Sequence, residues 1–245
     1  MKSVGIIPAR FASTRFPGKP LVKIGDKYMV QLVYEKALLA DLDEVIIATD
    51  DVRIYDAAKS FGANVVMTAN THISGTDRIC EVAENIEADI IVNIQGDEPF
   101  IDPQQINAVI NILKEKKELK IATLCKQITD YEQLINPNIV KVVKTSYYHA
   151  LYFSRNPIPY VRGENIENWL SVSVYYKHIG LYAFRKKALR RLINLEPSVL
   201  ELSENLEQLR WLENGFHIGI AVTDIETIGI DTPEDLEKVL SSNIK

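Results

Sequence analysis

Val4-Gly5-Ile6-Ile7 runs without a break into Pro8-Ala9-Arg10-Phe11-Ala12-Ser13-Thr14-Arg15-Phe16-Pro17-Gly18-Lys19-Pro20. The first four residues read as a buried strand. A loop of small residues, prolines and a glycine then leaves the strand's carboxyl end. Three bases, Arg10, Arg15 and Lys19, fall within ten residues of this loop. Arginine offers a planar fork of donors and lysine a compact charge, and both suit phosphate oxygens. Small residues let backbone N–H groups approach an anion as well. One such base reads as a solvated loop residue; three at the carboxyl end of a strand point to an anion site. The pattern is neither a P-loop nor the glycine fingerprint of dinucleotide-binding folds.

Beyond this stretch the N-terminal half alternates short β-branched runs with helical periodicity. Strands are expected at 4–7, 45–48, 63–67, 90–94 and 121–124. Helices are expected at 28–40, 51–61, 77–86 and 102–116, the first burying Met29, Leu32, Val33 and Leu39. The alternation predicts an α/β fold with a mainly parallel central sheet and helices on both faces. Ligands of such sheets sit beyond the carboxyl ends of the strands, where the strand order switches.

The rhythm breaks at about 125–185. Strands at 140–144 and 149–153 flank a polar turn, Pro157 and Pro159 force an extended segment, 164–171 reads as loop, and 176–184 returns to strand. No flexible linker brackets this region. It therefore reads as an inserted β-rich sub-region within a single domain, 1–245, whose exposed strands could pair with a second subunit. The tail predicts one helix over 198–213 ended by Asn214-Gly215, a strand at 218–222, a short strand before Asp231 and a last helix from Pro233.

Composition narrows the function. The chain has 245 residues, 47% apolar and 25% charged, which excludes disorder, collagen-like repeats and coiled coil as the main architecture. Its formal net charge of −5 gives no support for nucleic-acid or membrane-surface binding. Any anion must be met by a local cluster of bases. Cys80 and Cys125 have no CxxC spacing and suit a reducing compartment. The apolar start is too short for a signal peptide, and no run reaches the roughly 20 apolar residues of a membrane span. The expectation is a soluble cytoplasmic protein.

Three further segments carry chemistry. In Gln95-Gly96-Asp97-Glu98-Pro99 an apolar strand ends in an aspartate. Asp97 is placed to bind a hard cation such as Mg²⁺, which takes one or two protein carboxylates and completes its octahedron with water and phosphate; a turn residue is the plainer alternative. Gln95 suits a base or ribose edge, and Glu98 reads as a solvated neighbour. In Gly229-Ile230-Asp231-Thr232-Pro233-Glu234-Asp235, Thr232 fits the helix N-cap, Pro233 the first helical position and Asp235 the third. That explains Asp235 and leaves Asp231 as either a turn residue or a second metal ligand. Cap arithmetic likewise discounts Asp102, and Glu201 opposite Ser198. Ser74-Gly75-Thr76-Asp77-Arg78 opens a helix, either as an ordinary cap or as a place where N–H groups, Ser74 and Arg78 hold a nucleotide. No histidine pair has metal-ligand spacing, so zinc is not expected. His178 is the one histidine that reads as a site candidate. No nucleophile elbow and no cysteine nucleophile is present.

These segments resemble the sugar nucleotidyltransferases that activate 2-keto acid sugars, and among them the 3-deoxy-manno-octulosonate (KDO) cytidylyltransferase family. The likeness is carried by residues 8–21, 74–78, 95–99 and 229–235. It extends through Asn136-Pro137-Asn138, Lys141-Val142-Val143, Ala150 to Arg155, Lys177-His178-Ile179-Gly180 with Tyr182, and Leu206-Glu207-Gln208-Leu209-Arg210. It covers essentially the whole chain in order. It implies a Rossmann-like nucleotidyltransferase fold and transfer of CMP from CTP to the 2-hydroxyl of KDO, releasing pyrophosphate, with Mg²⁺ as cofactor. It also implies a cytoplasmic homodimer whose product feeds lipopolysaccharide synthesis. An acidic sugar such as 8-amino-KDO or sialic acid is the alternative acceptor. On this resemblance Arg10, Arg15 and Lys19 hold the triphosphate, Asp97 and Asp231 the metal, and Gln95, Ser74 and Arg78 the cytidine. Arg155 meets the KDO carboxylate through its fork, and His178, Tyr182, Glu207 and Gln208 sort the sugar hydroxyls. Glu207 has a rival explanation in pairing with Arg210 one helical turn on.

Overall fold

The structure is a computed structural model that describes residues 1–12, 16–227 and 229–241. It divides into two compact units, residues 1–107 with 227–245, and residues 108–226.

The first unit is built on β1 (Ser3–Ala9). A two-strand ribbon, β2 (Lys23–Ile24) and β3 (Lys27–Tyr28), leads into α1 (Met29–Ala37). Then come β4 (Glu44–Thr49), α2 (Val52–Ser60), β5 (Val65–Met67), α3 (Gly75–Glu84) and β6 (Ile90–Asn93). Helix α4 (Pro103–Glu115) spans the boundary at residue 107. β1 pairs in parallel with β4 on one side and β6 on the other, and β4 pairs in parallel with β5. Consecutive strand residues face opposite ways. Ser3, Val4, Ile6 and Ile7 are all fully buried, so both faces of β1 are covered and its unbroken apolar run is explained. The chain lays down β1, β4 and β5 in one direction, then returns to add β6 on the far side of β1. The strand order therefore switches between β1 and β6, and the loops after these two strands meet there.

Local chemistry sets the helix ends. Asp51 caps α2 by accepting from Arg53 N at 2.9 Å. Ser74 and Asp77 form a reciprocal capping box at α3. α1 ends at Ala37, three residues short of the expected 40, and the Leu38 N–H closes onto Tyr34 O at 3.0 Å. Leu39 thus falls off the helical stripe and is 71% exposed, while Val30 and Ala37 complete the buried face. No strand forms at residues 229–230. The Ile230 N–H makes one bond, to Asp97 O at 2.9 Å, and its side chain packs with Met29 and Val239. A closing helix, Pro233–Ser241, ends the unit.

In the second unit β7 (Ile121–Ile128) precedes a short α5 (Tyr131–Ile135). β8 (Lys141–Lys144) and β9 (Ala150–Ser154) form an antiparallel hairpin. Next come α6 (Trp169–Val172), β10 (Tyr175–Arg185), α7 (Lys186–Ile193), α8 (Val199–Glu204), α9 (Glu207–Glu213) and β11 (Ile218–Val222). β7 pairs antiparallel with β10 and parallel with β11. Two expectations need correction. Residues 164–171 are not all loop: Ile166–Asn168 forms a 3-10 turn and α6 succeeds it. The cause is Trp169, which is 6% exposed and stacks on Tyr175. The helix expected over 198–213 is two helices, because Asn205 adopts φ 52° and turns the chain between α8 and α9. Cys80 and Cys125 are buried free thiols.

Candidate active site

In the first unit the loop after β1 folds back on itself. Gly18 adopts φ 72°, which its lack of a side chain permits, and its N–H closes onto Phe11 O at 2.9 Å. This turn delivers Lys19 inward. The loop after β6 passes against the end of β1: a Cβ on Gly96 would lie 2.9 Å from Pro8 O, so only glycine lets the two strand ends approach this closely. The bond from Ile230 N to Asp97 O then draws the third segment alongside. Asp235 is taken up by the helix start, its Oδ2 accepting from Thr232 N at 3.1 Å and its N–H donating to Thr232 Oγ1 at 3.3 Å. The Asp231 N–H also donates to Asp235 Oδ2 at 3.2 Å, while the Asp231 carboxylate turns to Lys19.

The result is a convergence on one atom. Lys19 Nζ donates to Asp97 Oδ2 at 2.6 Å and to Asp231 Oδ1 at 3.0 Å. Around it opens a cavity of about 380 Å³ lined by Arg10, Lys19, Arg78, Gln95, Asp97 and Asp231 among others. That volume lies within the range of ligand pockets. Arg10 is exposed and held by one bond, from Nη1 to Ile73 O at 3.3 Å. Arg15 lies outside the described residues. Arg78 reaches the cavity wall from a fully buried position, with Nη2 on Asp50 Oδ2 at 2.8 Å and Nη1 on the Thr68 hydroxyl. Ser74 does act as the helix cap, its Oγ accepting from Asp77 N at 3.1 Å.

Glu98 corrects the reading of a solvated neighbour. Its Oε2 is sealed from solvent with no hydrogen-bond partner among the described residues. Burial, then the charges of Asp97 and Asp231, raise its carboxyl to about 7. Sequence inspection has no signal for this, since Gly229, which lies beside the Glu98 side chain, is remote in the chain.

The donor set fits a divalent cation. Asp97 and Asp231 already close on a cation, the Lys19 ammonium, and two carboxylates are what Mg²⁺ typically takes from a protein. Among the described residues no group of three or more His, Cys, Asp or Glu could hold a metal ion, so water and substrate oxygens would fill the remaining positions.

In the second unit, β7 and β10 carry a buried polar cluster. A register shift between Ile179 and Ala183 re-aims β10 near Tyr182. Thr123 Oγ1 lies 3.0 Å from His178 Nε2, 3.1 Å from Ile179 O and 2.9 Å from Leu181 O. A hydroxyl has one proton, and carbonyls only accept. Donation of the Thr123 proton to one of these carbonyls leaves its oxygen to accept from Nε2–H of His178. Burial lowers the imidazole to about 3, so it is neutral and keeps Nδ1 as an acceptor. The Tyr182 ring centroid lies 5.3 Å from that of His178. The Tyr182 hydroxyl is buried with no hydrogen-bond partner among the described residues. Burial and the nearby Glu207 charge hold this phenol well above 10. Glu207 opens α9, with the buried Gln208 next to it. Arg210 turns its fork to Glu201, with Nε at 2.6 Å from Oε2 and Nη2 at 2.5 Å from Oε1. Arg155 is tied into the chain by its guanidinium: Nε bonds Glu204 O at 2.6 Å, Nη1 Pro137 O at 3.1 Å and Nη2 Asn205 O at 3.3 Å.

A parallel sheet whose switch point carries bases, paired carboxylates and a nucleotide-sized cavity defines an α/β enzyme that handles phosphate esters. The sequence pattern of the cytidylyltransferase family matches residues 4–227. A 3-deoxy-manno-octulosonate cytidylyltransferase of Parabacteroides distasonis is 53% identical, the match covering 98% of each chain. One of Bacteroides thetaiotaomicron is also 53% identical, over 97% of this chain and 96% of the relative. The solved structure of a CMP:2-keto-3-deoxy-manno-octonic acid synthetase complexed with CTP superposes with a TM-score of 0.93 at 43% identity, covering 99% of this chain and 98% of that one. The chain belongs to the cytidylyltransferase family, among the 3-deoxy-manno-octulosonate cytidylyltransferases, and is a nucleotidyltransferase.

Proposed function

We propose that this enzyme transfers CMP from CTP to the 2-hydroxyl of KDO, giving CMP-KDO and pyrophosphate. The observation that carries the reading is the cavity at the β1–β6 switch, lined by Arg10 and by Lys19 in contact with the paired carboxylates of Asp97 and Asp231. The names of the relatives supply the base and the sugar. In the reaction the KDO 2-oxygen bonds to the α-phosphorus, the bond to the β-phosphate oxygen breaks, pyrophosphate leaves and the hydroxyl proton passes to solvent. Such transfers depend on positioning and charge neutralisation more than on covalent help. Arg10 and Lys19, with Arg15, bind the triphosphate and the departing pyrophosphate. Gln95, Arg78 and the Ser74 helix start hold the cytidine end. Asp97 and Asp231 hold Mg²⁺, which neutralises phosphate charge and lowers the pKa of the attacking hydroxyl when bound. No general base is then needed.

The Tyr182 hydroxyl, the Nδ1 acceptor of His178, Glu207 and Gln208 form a partly buried polar set suited to sugar hydroxyls. Arg155 contributes to the KDO carboxylate through the N–H groups outside its three carbonyl bonds. Among the described residues no helix is long and apolar enough to cross a membrane. A cytoplasmic homodimer whose product enters lipopolysaccharide is part of the same proposal.

The test is incubation with CTP, Mg²⁺ and KDO, with 8-amino-KDO and sialic acid as rival acceptors, read by mass for the CMP-sugar. Preference for either rival overturns the sugar assignment, and no product with any of the three overturns the activity. Asp97→Asn and Asp231→Asn should each lower turnover by about 10²–10⁴, the scale of a lost metal carboxylate. Near-parental turnover in either variant removes that residue from the metal site.

A further inference from the structure

Lys19 has an unusual position for a phosphate-binding lysine. Its ammonium lies 2.6 Å from Asp97 Oδ2 and 3.0 Å from Asp231 Oδ1, in the seat that two metal-binding carboxylates would give a divalent ion. A Mg²⁺ ion sits about 2.1 Å from each ligand oxygen. An ion between these two carboxylates would overlap the nitrogen, so ammonium and metal exclude each other. The Lys19 side chain is 13% exposed, against 30% for Asp97 and 46% for Asp231. The Lys19–Asp97 contact is thus partly sheltered, and its attraction is less screened than that of a fully exposed ion pair. Without a cation, two carboxylates would face each other beside the sealed Glu98. Lysine's compact charge rides on a flexible four-carbon stem, so it can leave this seat for a nearby phosphate, which a bidentate arginine fork would do less readily.

We infer that Lys19 is a built-in competitor of the divalent cation: it holds the seat between Asp97 and Asp231 in the empty enzyme and vacates it for the phosphate chain of the nucleotide. This rests on the assignment of Asp97 and Asp231 as the metal's ligands. Linkage has two consequences here. The cation and Lys19 weaken each other's hold on the carboxylates by the same factor, and nucleotide that draws Lys19 away raises cation affinity. The empty enzyme is then protected from binding a cation unproductively, and phosphate and metal load together.

The experiment titrates Mn²⁺ alone, without nucleotide, into the full-length protein at low ionic strength and reads free Mn²⁺ by electron paramagnetic resonance. The parent is compared with Lys19→Met and Lys19→Arg. Lys19→Met should bind one Mn²⁺ about tenfold more tightly than the parent, within the range of site-to-site couplings. Lys19→Arg keeps the charge and should stay within about twofold of the parent. If Lys19→Met does not fold, Lys19→Gln, which still bonds the carboxylates without charge, carries the same comparison. Equal or weaker affinity in the neutral variants overturns the inference, as does equal tightening in Lys19→Arg. CMP-KDO formation by the parent is read separately. Activity with unchanged Mn²⁺ affinities sinks the competition alone; tighter Mn²⁺ binding without any CMP-sugar product sinks the proposed reaction alone.

Discussion

Replacing Glu98 by glutamine tests the electrostatics of the site without touching the groups proposed to bind substrate. The carboxyl is raised from 4.5 to about 7, first by burial and then by Asp97 and Asp231. Carrying a carboxyl that far costs its charged form about 3 kcal/mol. The sign comes from proton counts. Below 4.5 the group is protonated in both the folded and unfolded chain and contributes nothing. Between 4.5 and about 7 the folded protein keeps a proton that the unfolded chain has released, so stability falls with rising pH by about 1.4 kcal/mol per unit. Above about 7 the loss is complete. Glutamine carries no charge at any of these values, so Glu98→Gln should gain on the parent as pH rises, by about 2–3 kcal/mol between pH 5 and pH 8. Its amide adds a donor that needs a partner, but that cost is the same at every pH. The assay is urea unfolding of both proteins in EDTA at pH 5, 6, 7 and 8. A stability difference that stays flat across this range refutes the buried, charge-repelled carboxyl.

Three further outcomes are expected. Gly96→Ala places a Cβ 2.9 Å from Pro8 O, a backbone atom that cannot yield without shifting β1. It should cost about 1–3 kcal/mol in urea unfolding and lower pyrophosphate release by moving Asp97; parental values for both would mean the strand ends are not in close contact. His178 should show the Nε2–H tautomer by ¹⁵N NMR and no titration above pH 5, since burial holds it near 3; a ring that protonates near pH 6.5 contradicts the buried bond to Thr123. Arg155→Ala should lower the melting temperature, because three carbonyls lose a donor at about 1 kcal/mol each. It should also raise the KM for KDO with little change for CTP; lower stability with unchanged KDO KM would leave Arg155 a purely structural tie.

Local rules carried far in this chain. Apolar runs marked β1, β4, β6, β7 and β11 because buried parallel strands need no polar face. Cap patterns separated Asp235 and Glu201 from Asp231 correctly, since each sits in the reciprocal box its spacing implies. What escaped was set by distant partners. The periodicity of 198–213 continues through Asn205, yet Glu204 is pinned from β9, its Oε1 by Ser154 Oγ at 2.8 Å and its Oε2 by Arg155 N at 2.8 Å, and the chain turns there. Trp169 converts a polar stretch into α6 through an aromatic stack that no local pattern encodes. α7 was missed although Ala188, Leu189 and Leu192 give it a buried stripe; the surrounding lysines and arginines mask its signal.

The active-site chemistry shows the same division between local pattern and remote support. Which side chains are chemically able was written in three short segments; how they come to share an atom depends on backbone contacts between those segments. Gly96 lets β6 end against Pro8 O, and Ile230 N holds Asp97 O, so Asp97 and Asp231 are brought together before either carboxylate meets a cation. Like charges placed this closely repel, and the fold meets that repulsion in two ways at once: Lys19 neutralises the outer pair, while the sealed Glu98 is pushed toward its neutral form. A site prepared in this manner suits the proposed divalent ion and polyphosphate, whose opposite charges would replace the internal compensation.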